Sequence, residues 1–416
     1  MIREVIFLKD FTSKIPTPIT SLALGWVILG NVFQGVNTFL SDLCMVASLI
    51  LIVLTFASLL LNPKKIIESF KTSVGMSLFT SITMALMMIS IWMKGVFGQA
   101  NIYIWVVGVI LHSIILVIFT IRYVVNFNLN NVTPSWFLVY TGLGIGAITC
   151  RDFGMIVFGK ATLSFIIFVS VVLAIPILIS IFVKRQKVKN AYKPLFSLIS
   201  VPLGIIIPAY IFVSEKVSSS TVLWMTILLQ IIFVVVLINS LLQVFNGFYP
   251  GWSCYTVSSA ITLYATSVAN DLFISKKLNY VFFQYLLDVE YVVVFIICSI
   301  VLLAYLINVL DDPSTEGTHL NLTNSNHNSA AINRFSISDI FSSNNKAKER
   351  KLSREKRRNS VSDSEKNDKP EKKDVRSRSS RKIRETSKRE MENQVNKKEK
   401  KVFDEEEMDK FSSLID

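Results

Sequence analysis

The stretch ATLSFIIFVSVVLAIPILISIFV, residues 161–183, has no charged side chain over its whole length. The hydrocarbon core of a bilayer is about 30 Å thick, so a helix that crosses it needs roughly 20 mostly apolar residues. Lipid offers no hydrogen bonds to the backbone, which restricts spanning structures to helices and closed barrels, and this run is too long and continuous for a barrel strand. It therefore predicts a transmembrane helix.

Nine further stretches share this length and apolar character. The ten stretches, numbered segment 1 to segment 10 in chain order, are 16–36, 41–61, 75–97, 101–124, 134–150, 161–183, 194–213, 220–245, 250–273 and 281–308. They predict an all-α polytopic membrane protein with ten transmembrane helices. We expect residues 1–15 to be a cytoplasmic or membrane-surface N-terminus and 16–310 to be one transmembrane domain.

The remaining residues, 311–416, form a charged tail. They hold 25 Lys and Arg and 21 Asp and Glu, against 18 and 9 in residues 1–310. Such a composition buries too little apolar surface to offset the entropy of ordering, so the tail is predicted to be disordered. Serines lie beside basic residues in RRNSVS (357–362) and RSRSSRK (376–382), a pattern that favours phosphorylation by a kinase. The basic residues favour contact with anionic lipid. A solvated tail is the plainer alternative, and its near balance of charge argues against a nucleic-acid partner.

The loops between segments predict the orientation. With the N-terminus inside, the inner loops of the body carry 12 Lys and Arg and the outer loops carry six. Basic residues favour the cytoplasmic side, so we expect a multi-pass protein of the plasma membrane with both termini in the cytoplasm. The sequence has no cluster of Cys and His that would indicate a metal or a cofactor. It also has no nucleophile–base pair that would indicate an enzyme.

Glycine and proline separate the odd segments from the even ones. The even segments hold only Gly108 and Pro176, whereas every odd segment has at least two such residues. Both residue types weaken membrane helices and are tolerated where neighbours or a water-filled cavity satisfy the backbone. The pattern predicts five helical hairpins, with kinked odd helices in an inner ring around a path and straight even helices in an outer ring. The predicted kinks are at Pro16, Pro18, Pro134, Pro194 and Pro208.

Charged side chains are missing from the middle of the odd segments. Acidic residues such as Asp288 and Glu290 fall at the ends of segments, and only His112 lies deep in one. For His112 a hydrogen-bonded structural role is favoured over a proton relay. A path without acidic rings does not suit cations, whereas exposed N–H groups and basic mouths favour anions.

Four motifs resemble the tellurite-resistance/dicarboxylate transporter family, which includes the slow anion channels of plant guard cells. The motifs are IPTPITSLALG (15–25), TPSWFLVYTGLG (133–144), KPLFSLISVPLG (193–204) and FYPGWSCYTVSS (248–259), joined by FG at 158–159. The matching residues are Pro16, Leu24, Gly25, Pro134, Trp136, Phe137, Gly142, Pro194, Pro202, Phe248, Trp252 and Tyr255.

The resemblance implies five hairpins with pseudo-five-fold symmetry, a homotrimer, and one pore per subunit that a Phe on segment 9 closes. Here Val257 occupies the position of that Phe. The implied substrates are small or organic anions such as chloride, nitrate or malate, passed by a channel or channel-like transporter. The alternative is a coupled carrier of C4-dicarboxylates or tellurite-related oxyanions.

Segment 9 contains WSCYTVSSAITLYATS (252–267), in which nine of 16 side chains carry a hydroxyl and none is charged. With Val257 as the pore gate, Ser253, Ala260, Tyr264 and Ser267 share its face at 100° per residue. Gly25, Gly142 and Pro202 are the other predicted pore-lining residues. A second stripe, Tyr255, Ser259, Thr262 and Thr266, lies opposite, and we expect its hydroxyls to bond across helices or to their own helix.

Overall fold

The computed structural model describes residues 9, 11–184, 190–244, 247–278 and 280–310. Nearly all of these residues are helical, and no β-strand occurs among them. The predicted tail at 311–416, with its proposed kinase sites, lies outside the described residues, as does most of the predicted N-terminal region.

Each predicted segment coincides with helical structure. The odd segments contain helices Ile19–Phe33, Ser73–Trp92, Trp136–Thr141 with Gly144–Thr149, Val201–Val213 and Ser253–Ser275. The even segments contain helices Thr38–Leu61, Asn101–Phe119, Ile156–Lys184, Ser219–Val244 and Val281–Leu310. A π-helical turn, Thr120–Val124, extends segment 4, and a 3-10 helix, Asn190–Ser200, precedes the α-helix of segment 7. The short helix Lys64–Phe70 lies between segments 2 and 3, and the short helix Lys94–Phe97 lies at the end of segment 3.

Seven of the described helices are long and apolar enough to cross a membrane, which supports an all-α, multi-pass membrane protein. They belong to segments 2, 3, 4, 6, 7, 8 and 10. The helix of segment 1 has 15 residues, and segment 5 is divided into two helices of six residues each. The 23-residue helix of segment 9, rich in hydroxyl side chains, is not among the seven.

Burial alternates along the chain. In their most apolar windows, segments 3 and 7 are 72% and 67% buried, whereas segments 2, 4, 6, 8 and 10 are only 22–39% buried. The helix of segment 1 is buried along nearly its whole length, and the helix of segment 9 is buried along most of its length. The even helices therefore present apolar side chains to the surroundings, which suits lipid, and the odd helices lie inside the protein.

Contacts between helices follow the same division. Each odd segment packs against the even segment that follows it. The odd segments also touch one another, in the pairs 1 and 3, 3 and 5, 5 and 7, 7 and 9, and 9 and 1. Segment 1 thus has both a sequence neighbour and the distant segment 9 beside it.

The prolines occupy two kinds of position. Pro16, Pro18 and Pro134 precede helices, with Pro18 as the N-cap residue of Ile19–Phe33, so they lie at the beginnings of helices instead of inside them. A proline suits this place because its missing N–H would be unbonded there anyway. Pro194 lies within the 3-10 helix and Pro208 within helix Val201–Val213, where each removes a backbone hydrogen bond.

Candidate functional site

The orientation of segment 9 is set by contacts on its two sides. A Cβ atom added to Gly25 on segment 1 would lie 2.6 Å from Thr256 Oγ1, so glycine permits the two helices to approach closely. On the other side, Ser258 Oγ donates to the carbonyl of Ser197 over 2.9 Å and lies 2.8 Å from Ser200 Oγ. Segment 9 is therefore held between segments 1 and 7.

The predicted gate residue lies between these two contacts. Thr256 and Ser258 flank Val257 by 100° each way, so Val257 and Ala260 point into the space between segments 1 and 7. Both are at most 1% exposed, and Ser253 is fully buried. Tyr264, further along the helix, is only half-buried. The face is closed by protein contacts at Val257 and becomes more accessible toward the C-terminal end of the helix.

The other predicted pore-lining residues are placed differently from one another. Ser267 lies 3.5 Å from the hydroxyl of Tyr291 on segment 10. Gly142 packs closely against Met84 and His112, so its side faces segments 3 and 4. Pro202 is buried in the first turn of helix Val201–Val213. Their roles as pore-lining residues stay predictions.

The opposite stripe of segment 9 faces segment 8. Tyr255 donates its hydroxyl to Asn239 Oδ1 over 3.0 Å, and Gln230 Nε2 donates to Thr266 Oγ1 over 2.7 Å. Thr262 and Thr266 donate their own hydroxyl protons to carbonyls one turn earlier. Cross-helix and same-helix hydrogen bonds therefore both occur on this stripe, as predicted for Tyr255, Thr262 and Thr266. For Ser259 the prediction is wrong, because its buried hydroxyl has no partner among the described residues.

A cavity of about 260 Å³ lies where segments 5, 7 and 9 end. Its lining residues are Arg151, Ile211, Phe212, Val268, Asp271, Leu272 and Ser275. Arg151 and Asp271 are both exposed, so the cavity presents one positive and one negative side chain to its contents. In the predicted orientation this is the outer mouth of the protein.

His112 links three segments through its imidazole ring. Nδ1 lies 2.7 Å from Thr83 Oγ1 on segment 3, and Nε2 donates to the carbonyl of Val139 on segment 5 over 2.9 Å. Val139 is in the last turn of helix Trp136–Thr141, just before segment 5 divides. A fully buried histidine with both ring nitrogens bonded has the structural role that the sequence favours.

Lys65, in the connection between segments 2 and 3, links the residues before segment 1 to segment 2. Its Nζ donates to the carbonyls of Thr12 and Ile15, each over 2.7 Å, and to Ser58 Oγ over 3.1 Å. Burial lowers the pKa of the Lys65 amine to about 8, against a smaller opposing effect of the Glu68 carboxylate. This lysine anchors the residues that lead into segment 1.

Glu290 is the residue that the sequence interpretation placed wrongly. It is ten residues into the 30-residue helix Val281–Leu310 and only 3% exposed, not at the end of a segment. Its neighbours include Gln230 and Thr266, yet neither carboxylate oxygen has a hydrogen-bond partner among the described residues. The helical spacing indicates that Glu290 is on the buried face, because the buried residues Leu287 and Val294 lie three before and four after it.

The described residues contain no group of His, Cys, Asp and Glu that could hold a metal ion, and their four cysteines are free and buried. A scan against protein-family models and a search of curated proteins find no match to the chain.

Proposed function

We propose that the chain passes small or organic anions across the plasma membrane along a path enclosed by the odd segments, as a channel or channel-like transporter. In this proposal the path is gated near Val257, each subunit of a homotrimer holds its own path, and both termini face the cytoplasm. The likeness of the motifs to the tellurite-resistance/dicarboxylate transporter family belongs to the same proposal.

The observation that carries it is the chemistry of the buried polar side chains in the odd segments. Nearly all are neutral hydroxyls: Thr20, Ser21, Ser77, Thr80, Ser81, Thr83, Ser90, Thr141, Thr149, Ser197, Ser200, Ser253, Thr256, Ser258, Ser259, Thr262 and Thr266. In the described helices of these segments, Asp271 is the only carboxylate, and it is exposed near the end of its helix. Many of these hydroxyls donate their proton to a carbonyl, so the support for an anion path comes from their neutrality: no buried carboxylate in the described helices of the odd segments repels an anion.

Two further features support an enclosed path. The pairwise contacts of the odd segments run from segment 1 through segments 3, 5, 7 and 9 and return to segment 1. Arg151, at the cavity where segments 5, 7 and 9 end, adds positive charge at one mouth, which raises the local concentration of anions. Asp271 in the same cavity opposes this effect, so the enrichment is small.

The second candidate is a proton-coupled carrier of dicarboxylates. The observation that favours it is Glu290, a buried carboxylate of the kind that marks proton-dependent transport in membrane proteins.

Flux from purified protein in liposomes tests the proposal, with the anion gradient and the pH gradient varied independently. Large anion currents that do not require a pH gradient support a channel. Slow, electroneutral uptake of malate that requires a proton gradient supports the carrier, and an absence of anion flux under all conditions rejects both.

Val257→Phe tests the gate. The side chain is 1% exposed between segments 1 and 7, so a larger ring must occupy the path. We expect anion flux to fall about tenfold, which corresponds to a barrier increase of roughly 1.4 kcal/mol. Val234→Phe is the matched control, because Val234 on segment 8 is 53% exposed. Equal flux in the two variants, both folded, would reject Val257 as the gate.

A further inference from the structure

We infer that Glu290 is a proton-binding site behind segment 9, and that the bound proton holds segment 9 in the closed arrangement. The inference rests on the proposed function for its consequence, the control of anion flux. The proton site itself rests on the geometry of segments 8, 9 and 10 alone.

The position of Glu290 is part of the packed surface of segment 10. Phe283, Leu287, Val294 and Cys298 are all buried and recur with the helical period on the same stripe as Glu290. Asp288, two residues earlier, points away and is exposed. A carboxyl group therefore replaces an apolar side chain in a row that packs against the rest of the protein.

Within the described part of the chain, the polar side chains beside Glu290 are bonded to each other and not to its carboxylate. Gln230 Nε2 donates to Thr266 Oγ1, and the hydroxyl proton of Thr266 goes to the carbonyl of Thr262. Neither carboxylate oxygen of Glu290 has a partner in the described part of the chain. A carboxylate can only accept hydrogen bonds, whereas a neutral carboxyl group also donates one.

A proton resolves this mismatch. Binding converts the carboxylate to a neutral carboxyl group, whose O–H can donate to the amide oxygen of Gln230, an acceptor not used by the bond to Thr266. An isolated buried carboxylate is strongly disfavoured, and such groups neutralise instead. The ligand of this site is thus a proton taken from water, and no other reactant is needed.

The described helices that pack around the site carry other titratable groups, none of which is a cation. Segment 10 adds Asp288 and Tyr291, and segment 9 adds Cys254, Tyr255, Tyr264 and Asp271. Asp271 and Asp288 are exposed, and like Glu290 they carry negative charge. The described helices of segments 1 and 8 contain no ionisable side chain. No cation from these four helices faces Glu290, which leaves the proton as the means of neutralisation.

The consequence for transport follows from the shared helix. Thr266 belongs to the same helix as Val257, so the hydrogen bond from Gln230 and the packing of a neutral Glu290 behind segment 9 hold the helix that carries the gate. Loss of the proton leaves an unpaired charge in a dry contact and destabilises that closed packing. Anion flux should therefore rise as the pH is raised.

The test compares the wild type, Glu290→Gln and the matched control Asp288→Asn in liposomes, with equal pH on both sides. Glutamine mimics the protonated side chain, so Glu290→Gln should keep the low flux of the acidic wild type at every pH. A closed state with at most about 10% of molecules open implies a rise of roughly tenfold for the wild type and for Asp288→Asn. An unchanged pH response in Glu290→Gln, or a wild-type flux that falls with pH, would overturn the inference.

A second arm holds the pH constant and varies the concentration of Na⁺. A flux that depends on Na⁺ in the wild type and not in Glu290→Gln would overturn the proton assignment in favour of a metal cation. A flux that is independent of Na⁺ supports the proton.

Infrared spectroscopy of the purified protein separates this inference from the proposed function. Glu290 should give a carboxyl C=O band that persists at pH values where exposed carboxyl groups are ionised and that is missing from Glu290→Gln. If the wild type moves no anion but shows this band, only the proposed function fails. If anion flux is present and the band is absent, the proton site fails. Should Glu290→Gln not fold, titration of the band in the wild type alone decides.

Discussion

Segments 6 and 9 are helices of comparable length with opposite side-chain chemistry. Segment 6 has the most apolar window of the seven long helices, with a mean hydropathy of 3.1, yet that window is only 22% buried. Segment 9 is rich in hydroxyls and is buried along most of its length. The polar helix is inside and the apolar helix is outside, the reverse of a soluble protein.

The physical reason is the solvent. In lipid, apolar side chains such as those of Phe168 and Phe182 can remain exposed on segment 6 without cost. Helices inside the protein associate through close packing and hydrogen bonds, which small residues and hydroxyls provide. The contact of Gly25 with Thr256 and the bond of Ser258 to Ser197 are examples of the two. In this chain, hydroxyl and glycine content therefore indicates burial better than hydropathy does.

Gly25→Leu gives the strongest test of this comparison. A Cβ at position 25 would lie 2.6 Å from Thr256 Oγ1 and 3.0 Å from its backbone carbon, so the larger side chain must push segments 1 and 9 apart. We expect a loss of about 3 kcal/mol in the free energy of unfolding, the upper part of the usual range for overpacking. Thermal unfolding in detergent measures it.

Gly35→Leu is the control for that experiment, since nothing lies within 4 Å of a Cβ built at position 35. A surface change of this kind should alter stability by less than about 0.5 kcal/mol. Equal stability of the Gly25 and Gly35 variants would mean that segments 1 and 9 do not depend on close approach.

His112→Leu tests one of the buried polar groups that occur on even segments. Leucine fills the site with an apolar side chain but leaves the Val139 carbonyl without the donor Nε2. We expect about 2 kcal/mol of destabilisation, within the range for an unsatisfied buried group. Ile110→Leu, at a 52% exposed site on the same helix, should be nearly neutral. If His112→Leu were as stable as that control, the hydrogen bonds of His112 would not stabilise the fold.

The smallest expected effect is on the pH dependence of stability. It concerns Lys65, which lies in the connection between an even and an odd segment. Its pKa is lowered to about 8 in the fold by burial, from 10.5. Between these values the unfolded chain binds a proton that the folded chain has released, so stability should rise as the pH increases from about 8 to 10.5. Lys65→Met should flatten this part of the pH profile of unfolding, and Lys64→Met, at an exposed site, should leave it unchanged. A wild-type stability that falls over this window would contradict the prediction.

The sequence predicts the class of fold well, because membrane length and apolar runs are local properties. Helices lie within a few residues of the predicted stretches, and Gly25, Pro208 and similar residues separate buried from exposed helices. The sequence does not tell which prolines kink a helix and which precede one: Pro18 precedes a helix, whereas Pro208 lies within one. A shift of a few residues in the helix boundary changes a proline from one role to the other.

Glu290 shows why parts of the candidate site escape sequence interpretation. Next to Asp288 it resembles a charge at the end of a segment, and its burial depends on Gln230 and Thr266, which come from two other helices. The two faces of segment 9 could be predicted, because Thr262 and Thr266 recur with the helical period. Which neighbour each face meets could not be, because segment 1 is more than 200 residues away along the chain.

The three segments absent from the set of long apolar helices are 1, 5 and 9, all odd. Each is short, divided or rich in hydroxyl side chains. The machinery that inserts nascent chains into a membrane therefore recognises each of them only weakly. Each is followed at once by a long apolar even segment. During biosynthesis the odd segment would then enter the bilayer together with its partner, and truncation of the chain just before segment 2, 6 or 10 should leave the preceding segment uninserted.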